Sequence, residues 1–191
     1  IQGRGGTIIP PPEFLPGLRR ICDEQGVLLA LDEVFTGFGR TGAWFAHEHS
    51  GIRPDVMAVG KAMGGGMPIS ACIGRPEIMR RWPTSQGEAI HTSTFLGHPL
   101  SCAAALAALT VLERDRLIER SERLGALLLD ALRQLQRRHP IIGDVRGKGL
   151  MVGIELVHDP VLKTLATDIS VGLMRWALAQ GLVILPEGTQ G

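Results

Sequence analysis

The sequence contains no tyrosine, and aromatic residues make up only 4% of its 191 residues. A surface that stacks nucleic-acid bases depends on such rings, so their scarcity argues against one. The formal net charge is +1, which argues against a nucleic-acid partner and against an acidic interaction tail. A hydrophobic content of 45% and a charged content of 20% are typical of a globular protein with a sizeable core.

Cysteine is also scarce. Cys22, Cys72 and Cys102 are odd in number, widely spaced and without a CxxC pair, so we expect neither a disulfide framework nor a zinc site. This usage favours a reducing compartment, and we predict a cytoplasmic location. His47 and His49 are two positions apart, which would place them on different sides of a helix. We therefore expect no metal site.

No segment has the pattern of a secretory signal or of a membrane span. The longest apolar stretch, residues 99–112, is too short and too rich in alanine to cross a bilayer. The first residues, IQGRGG, lack an initiating methionine and read as the end of a strand, and the last, GLVILPEGTQG, follow a predicted strand. We expect the chain to be a piece of a longer protein.

Strands and helices alternate along the sequence, which predicts the α/β class. Continuous apolar runs predict buried strands at 27–33 and 55–60, and similar patterns predict strands at 68–74, 149–157 and 182–185. A proline-rich entry, a short helix and a glycine stop are predicted at 10–26. Further helices are predicted at 43–51, 97–115, 116–140 and 166–181. We place a boundary near residue 114, which gives a large domain of residues 1–113 and a small domain of residues 114–191.

Lys61 stands between an apolar run and three glycines in the stretch MAVGKAMGGGMPISA. Lysine rarely lies in such surroundings without a partner. A P-loop would place its glycines before the lysine, whereas here they follow it. The spacing of Gly37, Gly39 and Gly42 matches a dinucleotide fingerprint, but residues 32–36 separate these glycines from the strand that should lead directly into them. We therefore favour neither form of nucleotide binding.

A third interpretation uses Lys61 as an amine. Pyridoxal 5'-phosphate carries an aldehyde that forms a Schiff base with a lysine, and it needs a carboxylate at its ring nitrogen. Asp32 lies at the end of a predicted strand, and Val34 would lie on the same face of that strand if the strand continued. Thr94 precedes a predicted helix start, in a stretch whose hydroxyl groups are suited to binding a phosphate. Taken singly, such residues are as commonly found in turns and helix caps, and that alternative stays open for each of them.

Residues 28–71 closely resemble the signature of the class III pyridoxal-phosphate aminotransferases. The elements occur in order as an Asp-Glu pair, GFGRTG, a Pro-Asp pair, the lysine, glycines and a proline. The stretches HTSTFLGHPLSCAAALA and VRGKGLMVGIEL resemble later blocks of the same family. The resemblance therefore covers nearly the whole chain.

The resemblance implies the type I pyridoxal-phosphate-dependent transferase fold, with part of a mostly parallel large-domain sheet and most of the small C-terminal domain. It implies that Lys61 forms the Schiff base and moves the proton between substrate and cofactor carbons. Asp32 would pair with the pyridine nitrogen, and Val34 would pack on the ring. Thr94 would bind the phosphate of the neighbouring subunit, in a homodimer with shared sites.

The reaction implied is transfer of an amino group from an amine or amino acid to a 2-oxo acid. A racemase or an aminomutase using the same cofactor is an alternative, and an inactive truncated oligomerisation module is another. Three departures qualify the resemblance: the N-terminal half and the extreme C-terminus of the family are missing, Phe35 stands where many members carry glutamine, and Arg4 replaces a glutamate. That glutamate occurs in members acting on ornithine or γ-aminobutyrate, so we do not expect those substrates.

Overall fold

The computed structural model describes residues 1–87 and 89–188 and divides into two compact units. One unit is Pro11–Ile118, and the other joins Ile1–Pro10 to Glu119–Gly191. The sequence-based division at residue 114 concerns the domains of a longer protein and stays a prediction.

The elements alternate as the α/β class requires. The helices are α1 (Phe14–Gln25), α2 (Pro76–Met79), α3 (Pro99–Arg114), α4 (Leu117–Arg138) and α5 (Thr167–Ala179), and short 3-10 helices cover Ala46–Ser50 and Lys61–Gly64. The strands are β1 (Ala30–Asp32), β2 (Val56–Val59), β3 (Ala71–Gly74), β4 (Ile142–Lys148), β5 (Met151–Asp159) and β6 (Thr164–Leu165).

The sheet of the Pro11–Ile118 unit has the order β1-β2-β3. Strands β1 and β2 are parallel, with Asp32 opposite Ala58, whereas β3 runs antiparallel to β2. Parallel pairing brings the carboxyl ends of β1 and β2 to the same edge of the sheet. Residues that follow these two strands are therefore neighbours.

The core of this unit lies beneath that edge. Its buried members are Phe38, Val59, Met63 and Ala105. Helix α3 packs against the 3-10 helix Lys61–Gly64. Gly65 ends that short helix with a φ of 58°, and a Cβ there would lie 3.2 Å from Cβ of Ala108. A side chain at residue 65 would thus be strained in the backbone and crowded against α3.

The second sheet, in the other unit, is antiparallel throughout in the order β4-β5-β6. Arg146 on β4 donates to the carbonyl of Gly6 at 2.8 Å and to the carboxylates of Asp144 and Glu155. The bond to Gly6 attaches the first residues of the chain to β4, and the two carboxylates hold the Arg146 side chain in place.

Two expectations about strands are wrong: the length and burial of the strand at 27–33, and the strand at 182–185. Strand β1 covers only Ala30–Asp32 and is not buried, since Ala30 and Asp32 are exposed and the preceding Leu28 is 61% exposed. Among the described residues β1 has one neighbouring strand, β2, and within the apolar run only Leu29 is buried. The predicted strand at 182–185 is irregular and largely exposed. Strand β4 was not expected, because its polar, glycine-containing sequence forms a strand only through its pairing with β5.

No helix in the described part of the chain is long and apolar enough to cross a membrane. Within residues 1–87 and 89–188, no group of histidine, cysteine, aspartate or glutamate side chains could hold a metal ion.

Candidate functional site

Lys61 follows β2 after a single glycine and is exposed at the sheet edge. It begins the short 3-10 helix with a φ of 46°, in the left-handed region that few residues with side chains occupy. Such backbone strain occurs preferentially at functional sites. Met63, two residues on, is buried in the core and fixes the direction of the chain here.

Asp32 is the last residue of β1 and is also exposed. Its Oδ1 accepts a hydrogen bond of 2.9 Å from the backbone N–H of Val34. Because β1 and β2 are parallel and adjacent strands lie about 4.8 Å apart, the carboxylate and the amine of Lys61 follow neighbouring strand ends. The two groups singled out in the sequence thus lie at the carboxyl ends of two neighbouring strands.

The half-buried side chain of Val34 lies close to the backbone that precedes Lys61. A Cβ added at Gly60 would lie 3.7 Å from Cγ1 of Val34 and 3.3 Å from the carbonyl oxygen of Ile69. A side chain at this position would crowd the Ile69 carbonyl oxygen and contact Val34, so Gly60 and Val34 are close neighbours. An amine, a carboxylate and an apolar side chain border this edge, a donor set that fits pyridoxal 5'-phosphate.

Phe35, which the family resemblance places where many members carry a glutamine near the cofactor, is a neighbour of Lys61. The Nζ of Lys61 lies 4.9 Å from the centroid of the Phe35 ring, and Cζ of Arg40 lies 5.8 Å from the same centroid. Both distances are within the range of cation–π attraction. A glutamine at residue 35 would have offered hydrogen bonds, whereas phenylalanine offers only its ring face.

Glu33 fixes the loop that carries Asp32, Val34 and Phe35. Its side chain is 3% exposed and accepts hydrogen bonds from the backbone N–H groups of Ala46 (3.0 Å) and His47 (2.9 Å). It also accepts from the Thr36 hydroxyl and contacts Nδ1 of His47 at 3.2 Å. The alternation of side chains along β1 places Glu33 opposite in direction to Asp32, so the Asp-Glu pair divides into an exposed acid and a buried one.

His47 and His49 belong to separate contacts. His47 pairs with Glu33, whereas Nε2 of His49 lies 3.0 Å from the carbonyl oxygen of Thr41 and 3.1 Å from its hydroxyl. The two histidines thus serve the packing of the glycine-rich loop.

Asp55 holds the start of β2, the strand whose far end leads to Lys61. Its buried carboxylate accepts from the Leu29 backbone N–H at 2.7 Å, from Arg19 at 2.7 Å and from Arg75 at 2.8 Å. These bonds, the one from Leu29 foremost, lower the pKa of Asp55 from 3.8 to about 2. The same carboxylate raises the pKa of both arginines, so all three groups stay charged.

Thr94 is exposed in the turn that precedes α3. The next residue, Phe95, is 71% exposed and makes an edge contact with His98, with ring centroids 5.5 Å apart. Nδ1 of His98 lies 3.2 Å from the hydroxyl of the buried Ser101. A role for Thr94 in phosphate binding stays a prediction.

Two cavities of the Pro11–Ile118 unit lie away from the strand ends. An apolar cavity of about 440 Å³ is lined by Val56, Cys72, Ile78, Met79, Trp82 and His91. A polar one of about 560 Å³ is lined by Arg19, Asp23, Gly51, Ile52, Arg53, Arg75, Pro76 and Glu77. Lys61 and Asp32 border neither, which agrees with their exposure at an open edge.

Comparison with known proteins identifies the chain's relatives. The sequence model of one family, described as aminotransferase class-III, matches residues 1–190. A leucine/methionine racemase from Thermococcus litoralis is 44% identical over 184 residues, which are 96% of this chain and 41% of the relative. The chain therefore spans about two fifths of that relative's length.

Solved structures agree with the computed one. An amine transaminase from an uncultivated Pseudomonas species, in its pyridoxal-phosphate-bound form, has a TM-score of 0.90 at 36% identity, covering 98% of this chain and 44% of that one. An (S)-enantioselective omega-transaminase from Thermomicrobium roseum has a TM-score of 0.89 at 35% identity, covering 98% and 43%. These similarities confirm the type I fold, and the enzymes of the matching family use pyridoxal 5'-phosphate.

Proposed function

This chain belongs to the class III aminotransferase family, and on that premise we propose that the full-length protein is a pyridoxal-phosphate-dependent aminotransferase. It would move an amino group from an amine or amino acid to a 2-oxo acid. The observation that carries the proposal is the family match combined with an exposed amine, Lys61, and an exposed carboxylate, Asp32, at neighbouring ends of parallel strands.

The bound cofactor would supply an electron sink for the negative charge that develops at the substrate carbon. Lys61 would hold it covalently through Nζ, and the same nitrogen, once released, would carry the proton between the reacting carbons. The Asp32 carboxylate would pair with the protonated ring nitrogen and keep the proton there. Val34, which lies next to Gly60, would pack on the ring.

The site would be completed by a second copy of the protein. In this proposal the full-length enzyme is a homodimer, and Thr94 binds the cofactor phosphate of the partner subunit. Its exposure in the turn before α3 is compatible with such a role. The free thiols of Cys22, Cys72 and Cys102 support the cytoplasm as the location.

Trapping with borohydride tests the assignment of Lys61. Reduction of the full-length holoenzyme, followed by peptide mapping, should place the cofactor adduct on Lys61, and Lys61→Arg should abolish it, because a guanidinium stays protonated and is no nucleophile. Lys148→Arg is the matched control and should leave the adduct in place. An adduct on Lys148 or Lys163 of the unmodified enzyme would end the assignment.

Racemisation is a second candidate, favoured by the 44% identity to the Thermococcus litoralis racemase. Lys61 and Asp32 would serve that reaction equally, so the site does not decide between the two. Incubation of the holoenzyme with an amino donor alone does. A transferase would leave the amino group on the cofactor as pyridoxamine phosphate and release a 2-oxo acid. A racemase would return a proton to the opposite face of the α carbon, which yields the other enantiomer and leaves no pyridoxamine phosphate.

A further inference from the structure

We propose that Phe35 is a positioning residue that holds the charged amine of Lys61 over the face of its ring. The inference rests on the proposed function, in which Lys61 is the cofactor lysine, and it concerns the lysine when it is not covalently bound. The observation that carries it is the 4.9 Å separation between Nζ and the ring centroid, well inside the 6 Å range for such attraction.

The ring is held by a rigid loop. Glu33 and Thr36 on either side of Val34 and Phe35 are joined by their side chains, and the backbone N–H of Gly37 donates to the carbonyl of Glu33 at 2.9 Å. Glu33 is in turn anchored to the backbone of residues 46 and 47. Phe35 is 38% exposed, so its ring lies at the surface of a fixed frame.

The lysine is held by a second frame. The backbone N–H of Met63 donates to the carbonyl of Gly60 at 3.2 Å, and the Met63 side chain is buried. The left-handed backbone of Lys61 sets the direction in which its side chain leaves the 3-10 helix. The contact between amine and ring follows from two separately fixed segments.

The contact has a chemical consequence. A phenyl ring has no hydrogen-bonding group and attracts the ammonium form of lysine through its quadrupole, while the neutral amine gains nothing comparable. The neutral amine is the nucleophile. Phe35 therefore keeps the unbound amine in place and lowers its reactivity, and loss of the aromatic face should raise that reactivity.

Reactivity of the amine can be measured without any cofactor. The full-length protein, freed of cofactor, is labelled with a trace of acetic anhydride at pH 8, and acetylation of Lys61 is quantified by mass spectrometry relative to Lys148. Phe35→Leu keeps apolar bulk but removes the ring, and we expect about a twofold to fivefold rise in the relative labelling of Lys61. Phe35→Tyr keeps the ring face and should label as the unmodified protein does.

Equal labelling of Lys61 in the Leu, Tyr and unmodified proteins would overturn the proposal. The proposal would also be overturned if Arg40→Gln alone raised the labelling of Lys61 as much as Phe35→Leu does. The lower reactivity of Lys61 would then be due to Arg40, the second cation at the ring, and not to the ring itself. Phe35→Met replaces the leucine variant if circular dichroism shows that the latter is misfolded. A labelling result that contradicts the role of Phe35 does not change the expected borohydride adduct on Lys61. The two proposals can therefore be refuted independently.

Discussion

Asp55→Asn should destabilise the full-length protein by about 3 kcal/mol at pH 6, because it removes a buried charge that two arginines share. The carboxylate is 3% exposed and lies 2.7 Å from Arg19 and 2.8 Å from Arg75. The asparagine oxygen can still accept from Leu29, but its amide group cannot neutralise two guanidinium groups. Strand β2 would lose the anchor at its start, and Lys61 lies just beyond its other end.

Part of this stabilisation depends on pH. The pKa of Asp55 falls from 3.8 to about 2 on folding, and each pKa unit corresponds to about 1.36 kcal/mol, so roughly 2 kcal/mol is linked to its ionisation. Because the folded pKa is the lower one, this stabilisation is fully present above pH 3.8 and is lost as the pH falls through 2. About 1 kcal/mol should already be lost at pH 3.

Urea unfolding of the unmodified protein and of Asp55→Asn at pH 6 and pH 3 measures both effects. The difference in unfolding free energy between the unmodified protein and Asp55→Asn should be about 1 kcal/mol smaller at pH 3 than at pH 6. Asp23→Asn is the matched control: it removes the other partner of Arg19, a carboxylate that is 66% exposed, and should cost less than about 1 kcal/mol. Equal costs for the two variants, or a difference that does not change with pH, would refute the reasoning.

Two further predictions concern the cofactor. Asp32→Ala in the full-length enzyme should slow the half-reaction with an amino donor at least roughly 100-fold and leave the unfolding midpoint nearly unchanged. A half-reaction rate equal to that of the unmodified enzyme, measured by stopped flow, would show that Asp32 has only a structural role. The 191-residue chain expressed alone should bind pyridoxal 5'-phosphate poorly, since Lys61 and Asp32 lie at an open edge, and micromolar binding in a cofactor titration would contradict this.

The site was predictable from the sequence to the extent that its geometry is local. A lysine directly after an apolar strand and an acid at the end of another are visible as patterns, and the parallel pairing of β1 and β2 then makes them neighbours. The contact of Phe35 with Lys61 was not visible, because it depends on where two loops place their side chains. Nor was the role of Glu33, since nothing in its spacing to Ala46 or His47 marks a buried hydrogen-bond acceptor.

The strands were less predictable than the helices. Helix α4 has leucines at helical spacing, α3 is rich in strong helix formers, and α1 ends at Gly26 in the left-handed conformation. Strand β4 has no such signal and forms because β5 lies beside it. The apolar run before β1 predicts burial, but burial requires a covering layer, and the described chain offers none to Val27 and Leu28, which are 52% and 61% exposed.

The exposure of apolar side chains explains why the strands were predicted less well than the helices. Val27, Leu28, Leu182 and Val183 all lie in predicted strands, and each is more than half exposed. Apolar side chains that the sequence predicts to be buried are thus exposed. The buried carboxylates of Glu33 and Asp55, in contrast, have their hydrogen-bond partners within the Pro11–Ile118 unit. Glu33 holds the loop that follows Asp32, and Asp55 holds the start of β2, the strand that leads to Lys61. These hydrogen bonds do not involve the surface that is left uncovered.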